Sequence, residues 1–347
     1  MTRPPVALQR KINKPFMFDA VIPLLAASQR ILLICHVAPD GDAIGSLLGL
    51  AWLLKDQSKR VLPASQDGVP KALRFLPGWS TVVRHSSEPI DLIIALDCSD
   101  KERLGTMFSA GRHGQVPLIN IDHHITNVRY GTVNLVNPRA TSTAEVVHAL
   151  ALALGWPIGP EAAQCLLTGL VTDTRGFRTS NVTAQTLGVA QALMEAGASL
   201  SIITEGVLER RDFDTICIWG EALAAAQVTD RIIWTAIPLS MRERCNRVEQ
   251  SDSGLANFLV GADEADVAVV FSEREGGLID VGMRSKLGLD VSQVALSLGG
   301  GGHPRAAGCT LQAPLAEAQQ RVLSALRASL TQQRAVDTNV YAGAPDE

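Results

Sequence analysis

Apolar positions in the first half of the chain come as short unbroken runs: RILLIC at Arg30–Cys35, IDLIIAL at Ile90–Leu96 and VPLINI at Val116–Ile121. Continuous runs of that length predict strands buried on both faces, as in a parallel sheet. Arg60–Ala64 reads as a shorter strand and Val133–Val136 as an extended piece. Helices are predicted between them: Phe16–Gln29, a stretch ending at Leu54, and Thr141–Leu154 with Thr141 or Ser142 as cap and Glu145 in its first turns. Pro160 opens another at the favoured first-turn position, running through Leu166, Leu167, Leu170 and Val171. Ala184 to about Ala226 keeps a helical pattern with interspersed charges.

Beyond it, Arg231–Ile237, Val267–Phe271 and Leu278–Arg284 read as strands, the last two separated by the turn-like EREGG. Val291–Leu298 and Leu315–Leu330 read as helices. The expected fold class is α/β: a mostly parallel N-terminal sheet flanked by helices, a helical linker, and a smaller α/β domain with a mixed sheet. The boundaries are 1–205, 206–229 and 230–333, with a loose tail at 334–347 and a mobile arm at Met1–Pro15 carrying three prolines.

Composition narrows the function. At 347 residues, 46% of them apolar, the chain suits two cores rather than one. A net charge of −4 argues against a surface that grips long nucleic acid, including long duplexes. The six cysteines are scattered singly, never as C-x-x-C, and read as reduced, buried thiols, Cys98 included. No leader and no membrane-length apolar run is evident, so a soluble, cytoplasmic protein without a membrane partner is expected.

Chemistry gathers where the strands stop. H-V-A-P-D-G-D places His36, Asp40 and Asp42 just past the first apolar run, with Asp42 also able to cap the helix that follows. Asp97 ends the next run, and Asp122, His123 and His124 end the third. Parallel strands joined by helices bring such ends to one edge, where open α/β sheets bind ligands. Asp173 closes an apolar helix and is followed by Arg178 and several hydroxyls suited to phosphate. In the second half, G-G-G-G-H-P-R-A-A-G (Gly299–Gly308) reads as a phosphate or nucleotide site built on backbone N–H groups. Gly300, Gly301, Gly302 and His303 are its core, with Arg284, Ser285 and Lys286 as companions.

Two like charges ~4 Å apart cost about 4 kcal/mol at an effective dielectric of 20, so four clustered aspartates resist folding unless neutralised. Two divalent cations balance them. Oxygen-rich ligation with some imidazole favours Mn2+, with Mg2+, Co2+ or Fe2+ less favoured. Such a pair suits phosphoryl displacement by a hydroxide that the two metals activate.

H-x-x-P-D-x-D at His36, an acid after a strand at Asp97, D-H-H at Asp122 and T-D-T at Thr172 follow one another in an order that resembles the DHH phosphoesterases. R-S-K at Arg284 and G-G-G-G-H at Gly299 resemble the DHH-associated C-terminal domain. Within the family, the chain looks most like the bacterial nanoRNase and pAp phosphatase subgroup. The resemblance implies one ion on His36, Asp40 and Asp97, and another on Asp42, Asp97, His123 and Asp173, with Asp97 bridging. It makes His124 a contact to the scissile phosphate or its water, and Asp122 the group that orients imidazole. It assigns a second phosphate to Arg284, His303 and the glycine backbone, across a cleft. The expected activity is hydrolysis of short oligoribonucleotides or linear dinucleotides to mononucleotides, and of pAp to AMP, by a homodimer. Alternatives are a cyclic dinucleotide phosphodiesterase and a non-catalytic nucleotide sensor. Arg175-Gly176 and Thr179 depart from the pattern expected after the fourth motif, which puts base stacking there in doubt.

Overall fold

A computed structural model of the chain describes residues 18–246 and 254–341, with side chains to residue 333. The expected arm at 1–15 and the last residues of the expected tail lie outside them. The chain divides into two compact units, the first ending at Arg210 and the second beginning at Arg211.

The first unit runs α1 (Ile22–Ala27), β1 (Arg30–Cys35), α2 (Gly41–Asp56), β2 (Arg60–Ala64), β3 (Leu92–Leu96), α3 (Ala110–His113), β4 (Leu118–Asp122), β5 (Val133–Val136), α4 (Thr143–Ala153), α5 (Pro160–Asp173), α6 (Ala184–Glu195) and α7 (Leu200–Thr204). Its five strands form an all-parallel sheet in the order β2-β1-β3-β4-β5. The unbroken apolar runs are explained by burial on both faces. Ile31 and Leu33 of β1, with Ile94 of β3, enter the core beneath α2, α4 and α5, whereas Leu32, Ile34 and Ile93 enter a smaller one with Leu104 and Met107. The short edge strand β2 accommodates Pro63 where a central strand would lose a ladder bond.

The second unit runs α8 (Phe213–Ala224), β6 (Gln227–Thr229), β7 (Ile232–Ile237), α9 (Leu239–Arg244), α10 (Leu255–Leu259), β8 (Val267–Arg274), β9 (Leu278–Ser285), α11 (Ser292–Ser297), β10 (Gly301–His303), β11 (Ala306–Gln312) and α12 (Leu315–Tyr341). Six strands in the order β10-β11-β9-β8-β7-β6 make a mixed sheet in which only β7 and β8 pair in parallel. Residues alternating along β8 enter two cores: Val267, Val269 and Phe271 pack with α11 and α12, and Ala268 and Val270 with α8, α9 and α10.

Three expectations are corrected. The stretch 206–229 is not a separate connector, because α8 packs Ile218 and Ala222 into the second unit's core and β6 is an edge strand of its sheet. The glycine segment after α11 starts a hairpin, β10 with β11. The last helix continues to Tyr341, past the expected end at Leu330. Cys217 and Cys245 form a disulfide with Cα atoms 5.7 Å apart, because α8 and the end of α9 pack together across a separation of 28 residues. Cys35, Cys98, Cys165 and Cys309 are buried free thiols. Among the described residues no single helix is long and apolar enough to cross a membrane.

Candidate functional site

The register of the first sheet sets Cys35 beside Leu96 and Leu96 beside Ile121, so β1, β3 and β4 end side by side. His36, Asp97 and the triplet Asp122-His123-His124 leave the sheet at one edge as a consequence. Asp97 turns with φ 58, a left-handed conformation that aspartate tolerates better than most residues. His36 Nε2 stands 3.5 Å from Asp97 Oδ2 and 3.8 Å from Asp40 Oδ1. Its Nδ1–H donates to the Val37 carbonyl at 2.8 Å, which fixes the ring and leaves Nε2 facing the acids. His123 Nε2 lies 3.2 Å from Asp173 Oδ2, 3.7 Å from Asp97 Oδ1 and 3.9 Å from Asp42 Oδ2. Ligand atoms of His36, Asp40 and Asp97 lie within 4.8 Å of one another, as do those of Asp42, His123 and Asp173.

The capping roles differ from the sequence reading. Asp40, not Asp42, caps α2, accepting from the Asp42 and Ala43 N–H groups at 3.1 and 3.0 Å. Asp42 instead sits at the N-terminus of α4, accepting from the Thr143 N–H at 2.6 Å and the Ala144 N–H at 3.0 Å. Close packing of α2 on α5 brings it there. A Cβ on Gly45 would lie 2.6 Å from the Cys165 carbonyl, and one on Gly169 would lie 2.6 Å from Asp42 Oδ1. Glycine at both positions lets Asp42 and Asp173, from different helices, meet His123.

Behind this cluster, buried Asp122 holds the triplet in place. Its Oδ1 accepts from His124 Nδ1–H at 2.7 Å and from the His123 N–H, and its Oδ2 accepts from Asn127 Nδ2 at 2.5 Å. Asn127 also donates to Asn120 Oδ1. His124 is therefore held through Nδ1, with Nε2 available for another partner. Thr143, which donates from its hydroxyl to Asp97 Oδ1 at 2.8 Å, and Asn127 both escaped the sequence reading. Thr143 follows the cap Ser142 directly, and Asn127 lies five residues past Asp122; neither position carries a chemical signature of its own.

The electrostatics show the strain of clustering acids. Burial first, then the charges of Asp97 and Asp173, push Asp42 well above the usual carboxylate range. Burial and the charges of Asp97 and Asp40 push Asp173 up to about 8. Desolvation would lower His36, but its bonds to Asp40 and Asp97 outweigh it and carry the ring up to about 10. Burial would raise Asp40, yet His36 and the α2 N–H groups hold it low. Burial lowers His123, favouring the neutral imidazole that binds metals. The Asp122 hydrogen bond raises His124; reciprocally, against the pull of burial, His124 and Asn127 hold Asp122 low.

In the second unit the cross-strand register puts Arg284, Ala306 and His303 in one row on one sheet face. Arg284 Nε donates to Asn257 Oδ1. Ser285 points to the opposite face, buried, with its hydroxyl donating to the Leu289 carbonyl at 2.7 Å, and does not join them. Lys286 Nζ donates to the Ala262 carbonyl at 2.8 Å. Two glycines of the run answer to the sheet itself: a Cβ on Gly300 would lie 2.1 Å from the Gly308 carbonyl, and one on Gly302 would lie 2.5 Å from that of Ala306. Gly301 meets nothing within 4 Å. Arg178 is exposed on the turn after α5 and donates to the Arg175 carbonyl.

Residues 30–170 match the DHH family, N-terminal domain, and residues 247–332 match the DHHA1 domain. The bifunctional oligoribonuclease and PAP phosphatase NrnA of Thermus thermophilus is 35% identical over 317 residues, covering 89% of this chain and 92% of its own length. The protein of the same name from Bacillus subtilis is 28% identical over 314 residues, covering 85% and 93%. The crystal structure of an exopolyphosphatase-related protein from Bacteroides fragilis shares the fold, with a TM-score of 0.86 and 23% identity, over 93% of this chain and 99% of that one.

Proposed function

This chain belongs to the DHH family, and from that premise we propose that it is a divalent-metal phosphoesterase that cuts short oligoribonucleotides and linear dinucleotides to mononucleotides and converts pAp to AMP. The observation that carries the reading is the pair of ligand clusters, His36-Asp40-Asp97 and Asp42-His123-Asp173, with Asp97 Oδ1 also 3.7 Å from His123. The substrates are those in the names of the Thermus and Bacillus relatives.

The donor set fits such ions. Four carboxylates and two imidazoles converge, two of the acids are held far above their ordinary range by mutual repulsion and burial, and His123 is held neutral. One cation would rest on His36, Asp40 and Asp97 and a second on Asp42, Asp97, His123 and Asp173; oxygen-rich ligation with imidazole suits Mn2+. When bound, such a pair supplies Lewis-acid stabilisation of phosphoryl charge and acidifies water. The remaining work falls to the chain's own groups. His124, held protonated at Nδ1 by Asp122, presents Nε2–H to a phosphate oxygen. Asn127 fixes the far oxygen of Asp122 and with it the ring. Arg284 and His303 take a second phosphate of the substrate, Arg284 through its planar fork. The same proposal places the enzyme in the cytoplasm.

Purified protein with Mn2+ is expected to hydrolyse pGpG, pApA and pAp, and Asp97→Asn to lose at least about a hundredfold in kcat on all three while staying folded. If the parent protein leaves all three substrates intact, the reading is wrong.

A further inference from the structure

Among the described residues, the sheet of the second unit carries an unfilled place that the phosphate grip does not use. Rows of side chains on one face can be read from the register. Arg284, Ala306 and His303 form one row, Gly282, Gly308 and Gly301 the next, and Ser272, Asp280 and Thr310 a third among β8, β9 and β11. Successive rows are roughly 7 Å apart along the strands. Over the two latter rows lies a cavity of about 550 Å³, walled on one side by Gly254 and Ala256 at the start of α10. That volume lies within the range of small-molecule sites.

Gly282 shows that this emptiness is not required by the fold. A Cβ there meets no heavy atom within 4 Å, and its φ is outside the left-handed region. Neither backbone nor packing demands glycine in the middle of β9, where any side chain would stiffen the strand. Close approach by something outside the sheet is the remaining reason for such a glycine. At the far end of the cavity, Asp280 is held by both oxygens: Arg274 Nε donates to Oδ2 at 2.9 Å and the Thr310 hydroxyl to Oδ1 at 2.8 Å. Each carboxylate oxygen has a second lone pair, so the oriented group can accept two parallel hydrogen bonds.

We propose that this cavity is a nucleobase subsite that selects guanine. The base lies on the glycine floor, its phosphate toward Arg284 and His303 and its N1–H and N2–H donors on the two oxygens of Asp280. Adenine offers a single amino group on that edge and satisfies one oxygen. Uracil offers one N–H between two carbonyls that the carboxylate repels. The inference rests on the hydrolase reading for its substrates but on the second unit alone for its geometry.

The test pairs binding with turnover on the full chain loaded with Mn2+. GMP is expected to bind at least roughly fivefold tighter than AMP by calorimetric titration, and kcat/KM for pGpG to exceed that for pApA by a similar factor. Asp280→Asn should bring both ratios to within about twofold. Gly282→Val should raise KM for both dinucleotides, with melting temperature and bound metal per chain preserved. Equal binding of GMP and AMP by the parent overturns the subsite even where hydrolysis is robust. So does a Gly282→Val protein with unaltered KM, or an Asp280→Asn protein that loses both substrates in equal measure. Hydrolysis of none of pGpG, pApA and pAp sinks the enzyme reading instead, and the GMP and AMP titrations still decide the subsite.

Discussion

Asp173 holds its proton unusually tightly in the folded chain, at about 8 against an unfolded value near 3.9, because burial and the charges of Asp97 and Asp40 oppose its ionisation. A carboxyl raised in this way contributes stability that is complete below about pH 4 and is lost as pH climbs through about 8. In metal-free protein, Asp173→Asn should therefore melt higher than the parent by a margin that widens between about pH 4 and pH 8 and then levels off. Differential scanning calorimetry in the presence of a chelator checks this; a margin that does not change with pH would show that Asp173 ionises freely in the metal-free cluster. The residues whose atoms converge could be named from sequence because each stands where an apolar run stops, a place with no packing use for a charge. Thr143 and Asn127 could not. Thr143 reaches the cluster because Asp42 of α2 sits at the start of α4, a contact between residues about a hundred positions apart. Asn127 reaches the cluster through Asp122.

At the scale of elements, α2 and α5 decide whether the two acids of the second cluster meet. Along α2, Gly41, Gly45 and Gly49 recur every fourth residue and face α5. The neighbours differ in kind. A methyl on Gly45 would press on the Cys165 carbonyl and the Gly169 N–H, both rigid backbone, whereas one on Gly49 would press on the Leu166 side chain. Gly45→Ala is expected to cost about 1–3 kcal/mol and to weaken Mn2+ binding, with Gly49→Ala costing less because Leu166 can change rotamer. Urea unfolding and metal titration of the two variants read both effects; equal costs would mean that the helices separate as rigid bodies. The long strands were legible from their apolar runs and the cap of α4 from its serine. The three-residue strands β6 and β10 were not, since Gln227–Thr229 is wholly exposed and Gly301–His303 offers almost no side chains to pattern. The disulfide was hidden for a related reason: only the folded packing of α8 against the end of α9 brings its two sulfurs together.

For the whole molecule, the relevant fact is that each unit has cores of its own, and that His36, Asp40, Asp42, Asp97, His123 and Asp173 all belong to the first. Ligand binding raises the stability only of what it binds, by about 2.7 kcal/mol at a hundredfold excess over Kd. Saturating Mn2+ should consequently move one calorimetric transition upward and leave a second in place. A single transition that shifts as a whole would show that the units unfold together. Composition had foreshadowed this division, because a chain of 347 residues with 46% apolar content supports more than one core.

Asp97 answers two demands at once. Its backbone is left-handed, which aspartate, asparagine and glycine accept and branched or bulky residues resist. Its carboxylate faces His36 and His123 together. The residue types that satisfy the backbone and those that satisfy the chemistry overlap in aspartate alone. Glutamate keeps the charge and misplaces it; asparagine keeps the turn and surrenders the charge. In the language of sequence space the position is a summit without shoulders, and a lineage that leaves it has no neutral path back to the same chemistry.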